Sequence, residues 1–177
     1  MTVKSEYGHA LYLLAKEIEA VEEIKLDLTA AYEIFKKNPE YSTILDTPAI
    51  SKGEKLTLVD EAFKPLNENL VSLIKILSEK HSVATFKDVY TTFIALYNED
   101  MGIIEVEAVT AIPMSENQIT ALREKIRLLS GKCAQIKNTV DPTILGGVKL
   151  RYEGVQIDAS IKTRLDGFAA SLRNISI

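Results

Sequence analysis

Residues 140–168 read VDPTILGGVKLRYEGVQIDASIKTRLDGF, and this stretch decides the fold class. Asp141-Pro142 is a turn signal, and a short apolar run leads into Gly146-Gly147. Val148, Leu150 and Tyr152 then alternate with Lys149 and Arg151. Glu153-Gly154 turns the chain and Val155-Gln156-Ile157 returns, which predicts a β-hairpin. Asp158 suits the N-cap of a closing helix, because its side chain accepts from free N–H groups. Ile161, Leu165, Phe168, Ala169 and Leu172 line one face of that helix, with Lys162, Arg164 and Arg173 largely off it. The stretch carries no catalytic cluster, which favours a protein that connects other proteins.

Upstream, Cys133–Val140 alternates weakly and predicts another strand. Ser115-Glu116-Asn117-Gln118 fits a capping box, with Ile119, Leu122, Ile126 and Leu129 as the apolar stripe of the helix it opens. Ser130-Gly131 ends that helix. In Ile103–Ala111, Ile104, Val106 and Ala108 face one side and Glu105 and Glu107 the other, the period of a half-buried strand. Residues 102–177 therefore read as a small α+β domain.

Before Met101-Gly102 the period is helical. Tyr7, Leu11, Leu14 and Ile18 recur at helical spacing over residues 4–18, and Val21, Ile24, Leu28, Ala31 and Phe35 do so over residues 20–37. Asn38-Pro39 ends the second helix and begins a short third, Glu40–Leu45. Ser51-Lys52-Gly53-Glu54 fits a second capping box, opening a helix with Leu56, Val59 and Phe63. Pro65 breaks the chain. Leu70, Leu73, Ile74 and Leu77, with Ile76 beside them, mark a fifth helix, and a sixth runs from about Val83 to Asp100. The whole is an α+β multidomain chain: residues 1–101 form a six-helix bundle, and residues 102–177 a small C-terminal α/β-sheet domain.

Composition limits the function. The 177 residues carry net charge −4, so the basic footprint of a nucleic-acid binder is missing. Charge is uneven: residues 1–101 have 11 Lys and no Arg against 17 acids, whereas residues 102–177 have 5 Lys and 5 Arg against 8 acids. Such a split suits two units with different partners. One cysteine, Cys133, excludes an internal disulfide and a multi-cysteine zinc site, and reads as a small apolar filler. No apolar run is long enough to span a bilayer, and the N-terminus lacks the pattern of a signal peptide.

Candidate sites have bland readings beside them. Gly146-Gly147 is followed by a strand and not by Lys-Ser or Lys-Thr opening a helix, so a phosphate loop is excluded in favour of a bulge or close backbone approach. His9 and His81 lack ligand spacing. Glu105 and Glu107 share a solvated strand face. Neither a metal site, nor a cofactor motif, nor a nucleophile–base pair is visible. Tyr7, Leu11 and Leu14 with Leu70, Ile74 and Leu77 read as bundle core or as a groove for an amphipathic partner helix; pattern alone favours core.

The chain resembles the delta subunit of bacterial F-type ATP synthase, a relative of the mitochondrial oligomycin-sensitivity-conferring protein. The residues that carry this are Tyr7 to Ala15, Thr47-Pro48-Ala49-Ile50-Ser51 with Glu54-Lys55, Asp141 to Val148, Val155 to Ser160, and Arg164-Leu165. Ala159, Thr163 and Gly8-His9 depart from the family pattern. The resemblance implies a non-catalytic, cofactor-free stator subunit, peripheral on the cytoplasmic side of the bacterial cell membrane as part of the synthase. It implies that the N-terminal domain holds the N-terminal helix of an alpha subunit, and it favours the groove reading of Tyr7, Leu11, Leu14, Leu70, Ile74 and Leu77. Ile74→Asp is then expected to weaken alpha binding in a folded protein. It implies that the C-terminal domain holds the C-terminal end of the b-subunit stalk, with Lys162, Arg164 and Arg173 steering it. An adaptor of another complex and an enzyme with a dispersed site are the alternatives.

Overall fold

The computed structural model describes residues 5–144, 146–152 and 155–158. The chain divides into two compact units, Met1–Tyr97 and Asn98–Ile177.

The first unit is helical. Its elements are α1 (Glu6–Glu17), α2 (Val21–Lys37), α3 (Pro39–Asp46), α4 (Lys52–Phe63), α5 (Glu68–Glu79), a 3₁₀ turn (Val83–Thr85) and α6 (Phe86–Asp100), whose last turn enters the second unit. The capping box of α4 forms as read: Ser51 Oγ accepts from the Glu54 amide and the Glu54 carboxylate accepts from the Ser51 amide. Pro39 sits in the first turn of α3, where its missing N–H costs nothing.

The apolar stripes meet in one core. Ile24, Leu28, Leu45, Val59, Leu70, Ile74, Leu77 and Val89 are fully buried. At one end Phe35 lies 5.3 Å from Phe63 and 4.8 Å from Phe86 by ring centroid. Tyr12 meets Phe93 edge to face. Each such side chain contributes about 1.5–3 kcal/mol by leaving water. Two carboxylates clamp helix starts from a distance. Asp46, at the end of α3, accepts from the amides of Val83 and Ala84 at 2.7 and 3.0 Å, and Asp27 on α2 accepts from the Asn67 amide at 2.6 Å. Each satisfies donors that a helix start leaves orphaned.

The second unit has β1 (Ile103–Thr110), α7 (Glu116–Ser130), β2 (Cys133–Val140), β3 (Val148–Tyr152) and β4 (Val155–Asp158). The strand order is β2-β1-β3-β4. β1 pairs in parallel with β2, with α7 as the crossover, and antiparallel with β3, which forms the expected hairpin with β4. Ser115 and Gln118 form the second capping box, and Gly131 closes α7 in the left-handed conformation. Ile104, Val106 and Ala134 are the buried centre, covered by Ile126, Ile136, Leu150 and Tyr152. Ile119, Leu122 and Ile126 of α7 are half-buried, but Leu129, read as part of that stripe, is 80% exposed. Cys133 is exposed at the first residue of β2, a correction to the filler reading.

Asn138 locks the sheet to the approach of α7. Its Nδ2 donates to the Ala108 carbonyl and the Thr110 hydroxyl, and its Oδ1 accepts from the Met114 amide. The closing helix read over Ile161–Leu172, with its N-cap side chain at Asp158, lies outside the described residues.

Candidate functional site

The residues of the expected groove sort into two groups. Leu11 is 4% exposed, and Leu70, Ile74 and Leu77 are 0% exposed, so these four build the interior of the helical unit. Tyr7 and Leu14 are half-buried. The reason lies in the phase of α1. Its buried face is Gly8, Leu11, Tyr12 and Ala15, rotated from the stripe Tyr7, Leu11, Leu14 and Ile18. Gly8 sets that phase. A Cβ there would lie 2.6 Å from the Val89 carbonyl oxygen and 2.8 Å from Thr92 Cβ, so only glycine lets α1 seat against α6. Ser5 strengthens the seat, its amide donating to Thr92 Oγ1 at 3.0 Å.

This rotation leaves a flank of α1 at the surface: Tyr7 and Leu14 half-covered, Ala10 exposed, and Ile18 42% exposed just past the helix end. A flank of α5 adjoins it. The Lys80 ammonium donates to the Tyr7 hydroxyl at 2.9 Å. Four residues back from Lys80, on the same side of α5, stands Ile76, 44% exposed. Leu73, 9% exposed, and half-buried Asn69 continue that side. The outcome is a strip of half-covered and exposed residues, Tyr7, Ala10, Leu14 and Ile76, edged by buried Leu73, with the Lys80 cation at its end. Ala10, Leu73 and Ile76 were not among the groove residues read from sequence. Partial exposure is decided by neighbouring helices, and a hydrophobic stripe cannot report it.

The other candidates resolve simply. His9 is exposed on α1. Gly146 and Gly147 have φ of 149° and 86°, so the pair supplies backbone that other residues rarely adopt, at the entry to β3. Glu105 accepts from Asn98 Nδ2, while Glu107 accepts from Thr139 Oγ1 at 2.8 Å and pairs with Arg151. The Thr139 hydroxyl, aided by Arg151, holds the Glu107 carboxyl below its usual range. The Glu107 contacts are cross-strand pairs of the sheet, and the Glu105 contact ties β1 to the end of α6. Among the described residues, no group of acids, histidines and cysteine is placed to hold a metal. Lys162, Arg164 and Arg173 lie outside the described residues.

The family model described as ATP synthase delta (OSCP) subunit matches residues 3–172. The chain belongs to the ATP synthase delta (OSCP) subunit family. It is 32% identical over 175 residues to ATP synthase subunit delta of Clostridioides difficile strain 630, covering 98% of this chain and 97% of that one. It is 29% identical to the subunit delta of Alkaliphilus metalliredigens, covering 99% and 98%. Its fold is similar to that of a chain in the Toxoplasma gondii mitochondrial ATP synthase hexamer, with a TM-score of 0.68, 22% identity, and coverage of 97% and 98%. As a delta (OSCP) subunit, the chain is a peripheral-stalk component of the F-type ATP synthase, a structural stator part and not a catalytic one. It serves ATP synthesis as part of that membrane-associated complex. No described helix is long and apolar enough to cross a membrane.

Proposed function

We propose that the helical unit grips the N-terminal helix of an alpha subunit on the strip formed by Tyr7, Ala10, Leu14, Leu73 and Ile76, while the second unit holds the C-terminal end of the b-subunit stalk. The single observation that carries this is the half-covered apolar strip joined across α1 and α5 by Lys80 and Tyr7. An amphipathic helix laid on such a strip buries apolar anchors on both flanks. Leu11, Leu70, Ile74 and Leu77 lie beneath the strip and shape it from inside.

The mechanism is mechanical. The rotor turns within the catalytic head, and the head must be held against it. A joint under reaction torque needs slow dissociation, so affinity of nanomolar order, about −12 kcal/mol, is a reasonable floor. A few fully buried anchors supply most of such an energy. On this reading the protein sits on the cytoplasmic side of the bacterial cell membrane, attached only through the synthase. The stalk contact falls to the second unit, whose charge balance is the more basic, with Lys162, Arg164 and Arg173 steering the partner.

Titration of the full chain with a synthetic peptide of the alpha N-terminus tests the first grip. The expected result is saturable binding that Ile76→Asp weakens at least tenfold without loss of helicity. Unchanged affinity in the folded variant removes this strip from the interface. For the second grip, association with b should weaken as salt rises. Association insensitive to salt excludes charge steering.

A further inference from the structure

A second feature of the helical unit lies at the end of α5, beside Lys80. A cleft of about 210 Å³ opens between the start of α4 and the end of α5, lined by Pro48, Ile50, Lys52, Lys55, Ser78, Glu79 and His81. Lys55 is 3% exposed. Its ammonium lies 3.0 Å from His81 Nδ1, and no carboxylate of the described residues lies within ion-pair distance of it. A buried cation without a counter-charge is costly, and proteins almost always pair one.

The nearby acids are already committed. Glu79 pairs with Lys52 at 3.0 Å, and the Asp46 carboxylate accepts from the Val83 and Ala84 amides. His81 cannot substitute for a counter-ion. Its Nδ1 also lies 3.0 Å from the Asp46 carbonyl oxygen, so the one nitrogen faces both a donor and an acceptor. If it accepts from Lys55, it offers no proton to Asp46. His81 is held there at φ 53°, a conformation a residue with a Cβ seldom adopts. Beside it the Ser78 hydroxyl is fully buried with no hydrogen-bond partner. Two lysines, Lys52 and Lys55, thus face a single carboxylate of the lining, Glu79.

We propose that this cleft binds a small oxyanion of the size and charge of inorganic phosphate, with Lys55 as the central counter-charge. Lys52 and the Ser78 hydroxyl are the additional donors, the hydroxyl after a turn of its rotor. Pro48 and Ile50 form its apolar side.

The test is a titration of the full-length protein with inorganic phosphate at fixed ionic strength, followed by amide NMR. Saturable shifts centred on Lys52, Lys55, Ser78 and His81 are expected. Linear shifts, or shifts centred elsewhere, overturn the proposal, and this arm needs no variant. Lys55→Met keeps the side-chain length and removes the charge. It is expected to fold and to weaken phosphate binding at least tenfold, whereas unchanged binding overturns the assignment. Acetate in parallel stands for a carboxylate delivered by a partner chain. Tighter saturation by acetate than by phosphate overturns the assignment to a free phosphate-like ion.

Discussion

The Lys80 ammonium at the end of α5 donates to the Tyr7 hydroxyl in the first turn of α1 at 2.9 Å. The hydrogen bond it donates to Tyr7 also holds Lys80 more firmly protonated than a free lysine. Since both groups are at the surface, their bond registers the two flanks of the strip more than it stabilises the fold. Tyr7→Phe should therefore leave the thermal midpoint nearly unchanged and weaken binding of an alpha N-terminal peptide several-fold. Calorimetric titration and thermal melts of the same samples check both halves.

Ile74 and Ile76 sit two residues apart with opposite expected phenotypes. Ile74 is 0% exposed, so Ile74→Asp should cost about 3–5 kcal/mol and lose the fold, which corrects the expectation of a folded, binding-impaired variant. Ile76 is 44% exposed, and its aspartate variant should melt within a few degrees of the parent. Urea unfolding of the pair distinguishes interior from interface.

Gly8→Ala should destabilise despite the better helix propensity of alanine. Propensity favours alanine by about 1 kcal/mol. The new methyl meets a backbone carbonyl at 2.6 Å and Thr92 Cβ at 2.8 Å, which only movement of α1 off α6 relieves. Overpacking of this kind costs about 1–3 kcal/mol. A net loss of up to about 2 kcal/mol is expected from urea midpoints.

Asp46→Ala removes the acceptor of two amides, one of them on buried Val83. The expected loss is about 2–3 kcal/mol, because bonds to a charged acceptor are strong and the donors are left without a partner. Chemical denaturation measures it. Amide exchange at Val83 should quicken in step.

Acid should loosen the sheet unit partly through Glu107. Its folded pKa is depressed by Thr139 first and then Arg151. A depressed carboxylate stabilises fully above its unfolded value, ordinarily 4.5, and the contribution fades as pH falls through the lower folded value. Glu107→Gln should flatten the acid limb of the stability curve of this unit. Amide exchange across β1 and β2 as pH is lowered reports it.

Much of this architecture is legible in the chain itself. Both capping boxes form at the residues that announce them, Ser51 with Glu54 and Ser115 with Gln118, because capping is local chemistry. The α2 stripe Ile24, Leu28, Ala31 and Phe35 is buried as its spacing implies. The phase of α1 was not legible. Gly8 adds nothing to a hydrophobic pattern, yet it decides which face turns inward through contact with a helix some eighty residues later. The parallel pairing of β1 with β2 was also hidden, since alternation reveals a strand but not its neighbour. Asn138 looks like any polar strand residue until its partners, 24 to 30 residues away, are in place. The proposed strip fell between these cases, its residues visible as apolar and their degree of cover set only by the packing of neighbouring helices.

The place of β1 between β2 and β3 has a consequence for biogenesis. A nascent chain completes the first unit at Tyr97, but β1 waits for both of its neighbours to leave the ribosome, the later ending at Tyr152. Domains fold in the order of synthesis. The helical half can thus fold while the other half is still being translated.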